Sequence, residues 1–214
     1  MKPTDPDTDD RPVVLAVSDS LTNDEPTNWL SLLGRMRPDV RTVAEAHGGW
    51  TTKSYFKAKF DGVAWASLPD GADVAVILIG SNNLFEDGGG SEASVAEAVD
   101  GVERIEAQLR AKYPDVRVLL AAPPTCVPRR ETDPAADRRV ADHSPQFLAR
   151  LSEAYRRLAA RRKWAFVDLF PLLEAPADFT DAAHPTDAGN RKIAAAIGPT
   201  LDALLPPGAH RRNP

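Results

Sequence analysis

Asp73-Val-Ala-Val-Ile-Leu-Ile-Gly-Ser-Asn-Asn83 is the stretch on which the fold turns. Its apolar run, rich in β-branched side chains and stopped by a glycine, reads as a strand covered on both faces. The same reading applies upstream at residues 13–17, and it makes 40–46, 116–121 and 165–167 further strands, with Pro123-Pro124 closing the fourth. Between them, apolar residues recur at helical spacing over 28–36, 92–112, 147–162 and 186–205. In 92–112 the period is carried by Val95, Val99, Val102, Ile105 and Leu109. Strands alternating with helices imply an α/β fold with a parallel sheet of about five strands. In such folds functional groups gather outside the carboxyl ends of the strands.

Composition narrows the rest. Of 214 residues, 43% are hydrophobic and 27% charged, as in an ordinary globular protein. Net charge is −5 and the lysines and arginines are scattered among acids, so no nucleic-acid partner is expected. No apolar run approaches the roughly 20 residues that cross a bilayer, so no membrane partner is expected either. The acidic, proline-rich start is unlike a secretory leader, which points to the cytoplasm. Cys126 is the only cysteine; it allows no intrachain disulfide or all-thiolate metal site and reads as a bystander thiol. Residues 1–12 and 206–214 read as disordered tails around one domain, 13–205. Nothing in the composition sets an oligomeric state. The long connection 123–142 carries Arg129, Arg130, Arg138 and Arg139. It reads equally as a lid and as a solvated excursion.

Three segments fall where the strand-end rule wants chemistry. Ser18-Asp-Ser20-Leu follows the first strand, Gly80-Ser-Asn82-Asn83 the third, and Asp181-Ala-Ala-His184 precedes the last helix. A serine hydroxyl needs a base, and a histidine serves near neutral pH if a carboxylate holds its other nitrogen. Ser20, His184 and Asp181 supply that set. Pro185 marks the expected first turn of the closing helix. The developing oxyanion needs donors: the Ser20 N–H, the Asn82 side-chain amide and the Gly48-Gly49 turn after the second strand are candidates. Each segment alone has an ordinary meaning. Ser20 is also a helix cap, Asn82 a turn former, Gly49 a source of positive φ, and Asp181 with His184 a cap beside a surface histidine or two metal ligands.

Taken in order, the segments resemble the four sequence blocks of the GDSL/SGNH hydrolase family, over roughly 13–205. Ser18-Asp19-Ser20-Leu21 looks like the GDSL block with Ser20 as nucleophile. Gly49 looks like the glycine of the second block, and Gly80-Ser-Asn82-Asn83 like the GxND block with Asn82 as oxyanion donor. Asp181-x-x-His184 looks like the DxxH block. The resemblance implies a flavodoxin-like α/β/α sandwich hydrolysing small-molecule esters, thioesters or O-acetyl groups through an acyl-enzyme, with no metal or other cofactor. Asp19, Asn83 and Trp50 are candidates to line the substrate pocket. Alternatives are an acyltransferase using the same site and a non-catalytic binding protein on the same fold. Two positions depart from the family. Ser18 replaces glycine, and its Cβ is expected to crowd the nucleophile turn. Asn83 replaces aspartate and is expected to hold its turn less firmly.

Overall fold

The computed structural model describes residues 9–23, 27–88, 90–127 and 145–205. Five strands, β1 (Val13–Ser18), β2 (Arg41–Ala46), β3 (Val74–Leu78), β4 (Arg117–Ala122) and β5 (Ala165–Asp168), form one sheet in the order β2-β1-β3-β4-β5. All four pairings are parallel. The helices are α1 (Ser20–Asn23), α2 (Trp29–Met36), α3 (Ser81–Phe85), α4 (Glu92–Lys112), α5 (Pro145–Arg162) and α6 (Asp187–Leu204), with short 3₁₀-helices at Thr52–Phe56 and Ala58–Phe60.

The continuous apolar runs are explained by two cores. Val14, Ala16, Val76 and Leu78 pack with Trp29, Leu33, Ile193 and Ile197 of α2 and α6. Their strand neighbours Leu15, Val17, Ala75 and Ile77 pack on the other face with Val102, Ile105, Leu151 and Tyr155 of α4 and α5. Successive side chains point to opposite faces, so both parities must be apolar when helices cover both sides. The result is a three-layer α/β/α sandwich with the flavodoxin-like strand order. β2, at the edge, keeps several partly exposed residues.

At Gly80 the chain leaves β3 at φ +123°, and a Cβ there would run into the buried Tyr155 hydroxyl, which donates to the Ile79 carbonyl at 2.9 Å. Backbone conformation and space both demand glycine at the start of α3.

The structure corrects two expectations of crowding and capping. The Ser18 Cβ is accommodated, and its hydroxyl is used: it donates to the Leu78 carbonyl (2.6 Å) and accepts from Thr22 Oγ1 (2.8 Å), which in turn accepts from Trp29 Nε1 (2.8 Å). That buried relay ties β1 to β3, α1 and α2. Pro185 lies before the closing helix, bridged to Phe179, and Thr186 is the cap, accepting from the Gly189 N–H. The expected tails fall largely outside the described residues, as do the four arginines of the long connection. Among the described residues no helix is long and apolar enough to cross a membrane.

Candidate active site

The carboxyl ends of β1, β2 and β3 and the loop before α6 bring the singled-out residues to one rim. Ser20 opens α1 directly after β1. Its Oγ lies 2.9 Å from His184 Nε2, and His184 Nδ1 lies 2.6 Å from Asp181 Oδ2. A carboxylate only accepts, so Nδ1 carries a hydrogen; in the neutral imidazole Nε2 is then the acceptor and the Ser20 hydroxyl donates to it. Ser20 and His184 are 164 residues apart in sequence.

The loop holding Asp181 and His184 is braced at several points. Thr180 N–H donates to the His184 carbonyl (2.9 Å) and Thr186 N–H to the Asp178 carbonyl (2.7 Å). The Asp178 carboxylate accepts from the Glu174 N–H (2.8 Å) and Lys192 Nζ (2.6 Å), which fastens the loop to α6. Asp181 Oδ1 accepts from the Ala183 and His184 N–H groups at 2.8 and 2.7 Å. Partial burial pushes the Asp181 carboxyl up, but those two N–H groups and the His184 ring outweigh it and hold the carboxyl below its ordinary value. The side chains stay open to water, 49% exposed for Asp181 and 37% for His184.

Beside this line stand the candidate oxyanion donors. Gly49 occupies the third position of a turn closed by the Trp50 N–H on the His47 carbonyl (3.2 Å), at φ +74°. That position of a type II turn favours glycine. Among the described residues no acceptor meets the N–H of Ser20 or of Gly49. Asn82 Nδ2 donates to the Trp50 carbonyl (2.9 Å) and, at a longer 3.3 Å, to Asp19 Oδ2.

The three residues expected to line a pocket are buried, and none borders the cleft beside Ser20 and His184. Asp19, Asn83 and Trp50 are 0%, 2% and 8% exposed. Asp19 sits beneath the nucleophile: Oδ1 accepts from the Leu21 N–H at 3.0 Å, and Oδ2 from the Ser81 hydroxyl at 3.4 Å. Burial pushes its carboxyl up to about 7, against the pull of those bonds and of nearby His184. Asn83 is a brace. Its Oδ1 accepts from the Thr52 N–H (3.0 Å), and its Nδ2 donates to Thr52 Oγ1 (3.2 Å) and Glu97 Oε1 (2.8 Å). The turn is therefore held by three bonds, and an aspartate there would set one carboxylate against another. Trp50 belongs to an aromatic group with His47, Tyr55 and Phe60.

A cleft borders the Ser20–His184 pair. It is about 150 Å³, lined further by Leu21, Thr27, Thr180, Pro185, Asp187 and Asn190. Sequence reasoning missed these residues; the one clue was the polar Thr186-Asp187 start of α6, next to His184. Among the described residues no three His, Cys, Asp or Glu side chains group so as to hold a metal ion.

Residues 16–192 match the GDSL-like lipase/acylhydrolase family. No curated protein matches the chain. Among solved structures it is similar to an aryl esterase from M. smegmatis (20% identity, TM-score 0.70, covering 91% of this chain and 100% of that one). It is also similar to a carbohydrate acetylesterase from Sinorhizobium meliloti (21% identity, TM-score 0.70, 91% and 100% covered). A third is a catalytic mutant of an acetylxylan esterase from Geobacillus stearothermophilus (17% identity, TM-score 0.63, 89% and 94% covered). At these identities the structural likeness speaks for the fold.

Proposed function

We propose, from the premise that this chain belongs to the GDSL-like lipase/acylhydrolase family and is an SGNH-type esterase, that it cleaves small carboxylic esters through an acyl-enzyme on Ser20. The observation that supports this most directly is the unbroken hydrogen-bonded line Ser20–His184–Asp181. Ser20 Oγ attacks the acyl carbon as its proton passes to His184 Nε2, and Asp181 keeps the imidazole in the tautomer that can receive it. The N–H groups of Ser20 and Gly49 and the Asn82 amide stabilise the oxyanion, Asn82 releasing its long bond to Asp19 to do so. As the carbon–oxygen bond to the alcohol breaks, His184 returns the proton to the leaving oxygen. Water then gives a proton to His184 and attacks the acyl carbon, and Ser20 is regenerated with its hydrogen.

The leaving alcohol must lie within reach of His184, and the cleft beside Thr27 and Asp187 supports its binding there. A cleft of about 150 Å³ suits small groups.

The test joins labelling to kinetics. A fluorophosphonate should add to Ser20 in the folded protein, and p-nitrophenyl acetate should give a burst of nitrophenol. Ser20→Ala should lower kcat by about 1,000-fold or more. A Ser20→Ala protein working at the wild-type rate would end the proposal.

A further inference from the structure

A second carboxylate–imidazole pair stands at the same rim, and the reaction above does not use it. The side chain of Glu45, near the end of β2, is 0% exposed. Its Oε1 accepts from the Trp65 N–H at 2.9 Å and lies 2.7 Å from His47 Nε2, and its Oε2 accepts from the Ser67 N–H at 2.8 Å. A carboxylate only accepts, so His47 Nε2 carries a hydrogen and donates. The His47 ring in turn stacks on Trp50, with centroids 3.8 Å apart and planes at 25°. The Trp50 N–H closes the turn onto the His47 carbonyl, and the Trp50 carbonyl accepts from Asn82 Nδ2 at 2.9 Å. Gly48 and Gly49 are the two residues enclosed by this turn.

Oxyanion donors work by being fixed before charge develops. A turn whose two central residues are glycine is the softest backbone available for that task, because glycine restricts its own dihedrals least. Something outside the turn must hold it, and the contacts above form one clamp: a buried carboxylate on the sheet, an imidazole bonded to it, an indole stacked on the imidazole. We propose that His47, anchored by Glu45, is a positioning residue that fixes the turn 47–50 and thereby the Gly49 N–H and the Asn82 amide. The proposal rests on the roles given to Gly49 and Asn82 above. His47 touches no reacting atom in it; its effect falls on the transition state, where the oxyanion forms, and not on ground-state binding.

His47→Phe tests it, since an aromatic ring can keep the stack while the Nε2 hydrogen is lost, and Glu45 keeps its two backbone donors. The expected result is a fall in kcat of about tenfold with KM within about twofold, below the 100- to 1,000-fold typical of deleting an oxyanion donor outright. Affinity for a boronic acid, which forms a tetrahedral anion on the nucleophile, should weaken by a similar factor. His47→Gln, which restores a donor, should recover part of the loss. A His47→Phe enzyme with kcat within twofold of wild type, or one changed in KM or melting temperature alone, overturns the idea. If that variant does not fold, the wild-type protein decides. The His47 Nε2 proton resonance should shift when the boronate binds, and an unmoved resonance overturns the idea equally. Ser20→Ala separates the two levels: an inactive Ser20→Ala beside an unaffected His47→Phe leaves the esterase mechanism standing and removes only the clamp.

Discussion

Among the described residues two histidine–carboxylate pairs stand at one rim of the sheet, and they differ in almost everything except chemistry. In the first, Asp181 and His184 sit on a loop, 49% and 37% exposed, and the far ring nitrogen of His184 faces the Ser20 hydroxyl. In the second, Glu45 is wholly buried, His47 is 19% exposed, and the ring lies flat against Trp50. Asp181 shares its charge with two N–H groups of its own loop, whereas Glu45 binds N–H groups 20 and 22 residues onward. The lesson concerns partners more than residue types. An imidazole with a hydroxyl on its free nitrogen and water nearby can pass a proton; one pinned between a buried carboxylate and an indole can only hold a shape.

Removing the ring from each pair should show the contrast at its largest. His184→Ala should cost about 1,000-fold or more in kcat, roughly 4 kcal/mol of barrier, with little change in melting temperature. Steady-state kinetics beside thermal unfolding measure both. A His184→Ala enzyme that loses fold and keeps rate would reverse the assignment of the two pairs. The two carboxylates should part along the same line. Glu45→Ala strands two backbone N–H groups and an imidazole in a buried site, which should remove about 3 kcal/mol of stability. Asp181→Ala, half in water, should leave stability within about 1 kcal/mol while lowering kcat. Urea unfolding of both variants puts the two losses on one scale.

Much of this was legible in the sequence, for identifiable reasons. Continuous apolar runs gave β1 and β3, because a strand covered on both faces has no polar parity. Helix α4 was bounded at Glu92 and Lys112, as its period runs unbroken between them. The short elements were not legible: α1 and α3 have four and five residues, too few to show a period, and read as turns. Ser20, Asn82, Asp181 and His184 could be picked out because each follows a strand or precedes a helix. Asn83 and Glu45 were misjudged or overlooked because their partners, Thr52, Glu97, Trp65 and Ser67, are set by packing and not by local spacing. Their burial was no more visible. An asparagine in a turn and a glutamate on an edge strand both look like solvated residues until the neighbouring segment folds over them.

Asp19 sharpens the comparison from a third direction, as a buried carboxylate at the same rim without an imidazole bonded to it. Burial pushes it up to about 7, where an unfolded chain would release the proton near 3.8. Across that window the folded state binds more protons than the unfolded state, so Asp19 makes stability fall as pH rises, and the loss levels off above the folded value. Between pH 6 and pH 8 the fall attributable to this group is about 1 kcal/mol, one decade of proton binding. Asp19→Asn cannot titrate. Its stability should therefore change less than wild type over that range, by about the same amount, in urea unfolding at the two pH values. Parallel curves for the two proteins would mean that Asp19 is already ionised at pH 6. Its long bonds to Ser81 and Asn82 would then hold a full charge, and Asn82 would be the less free to turn toward an oxyanion.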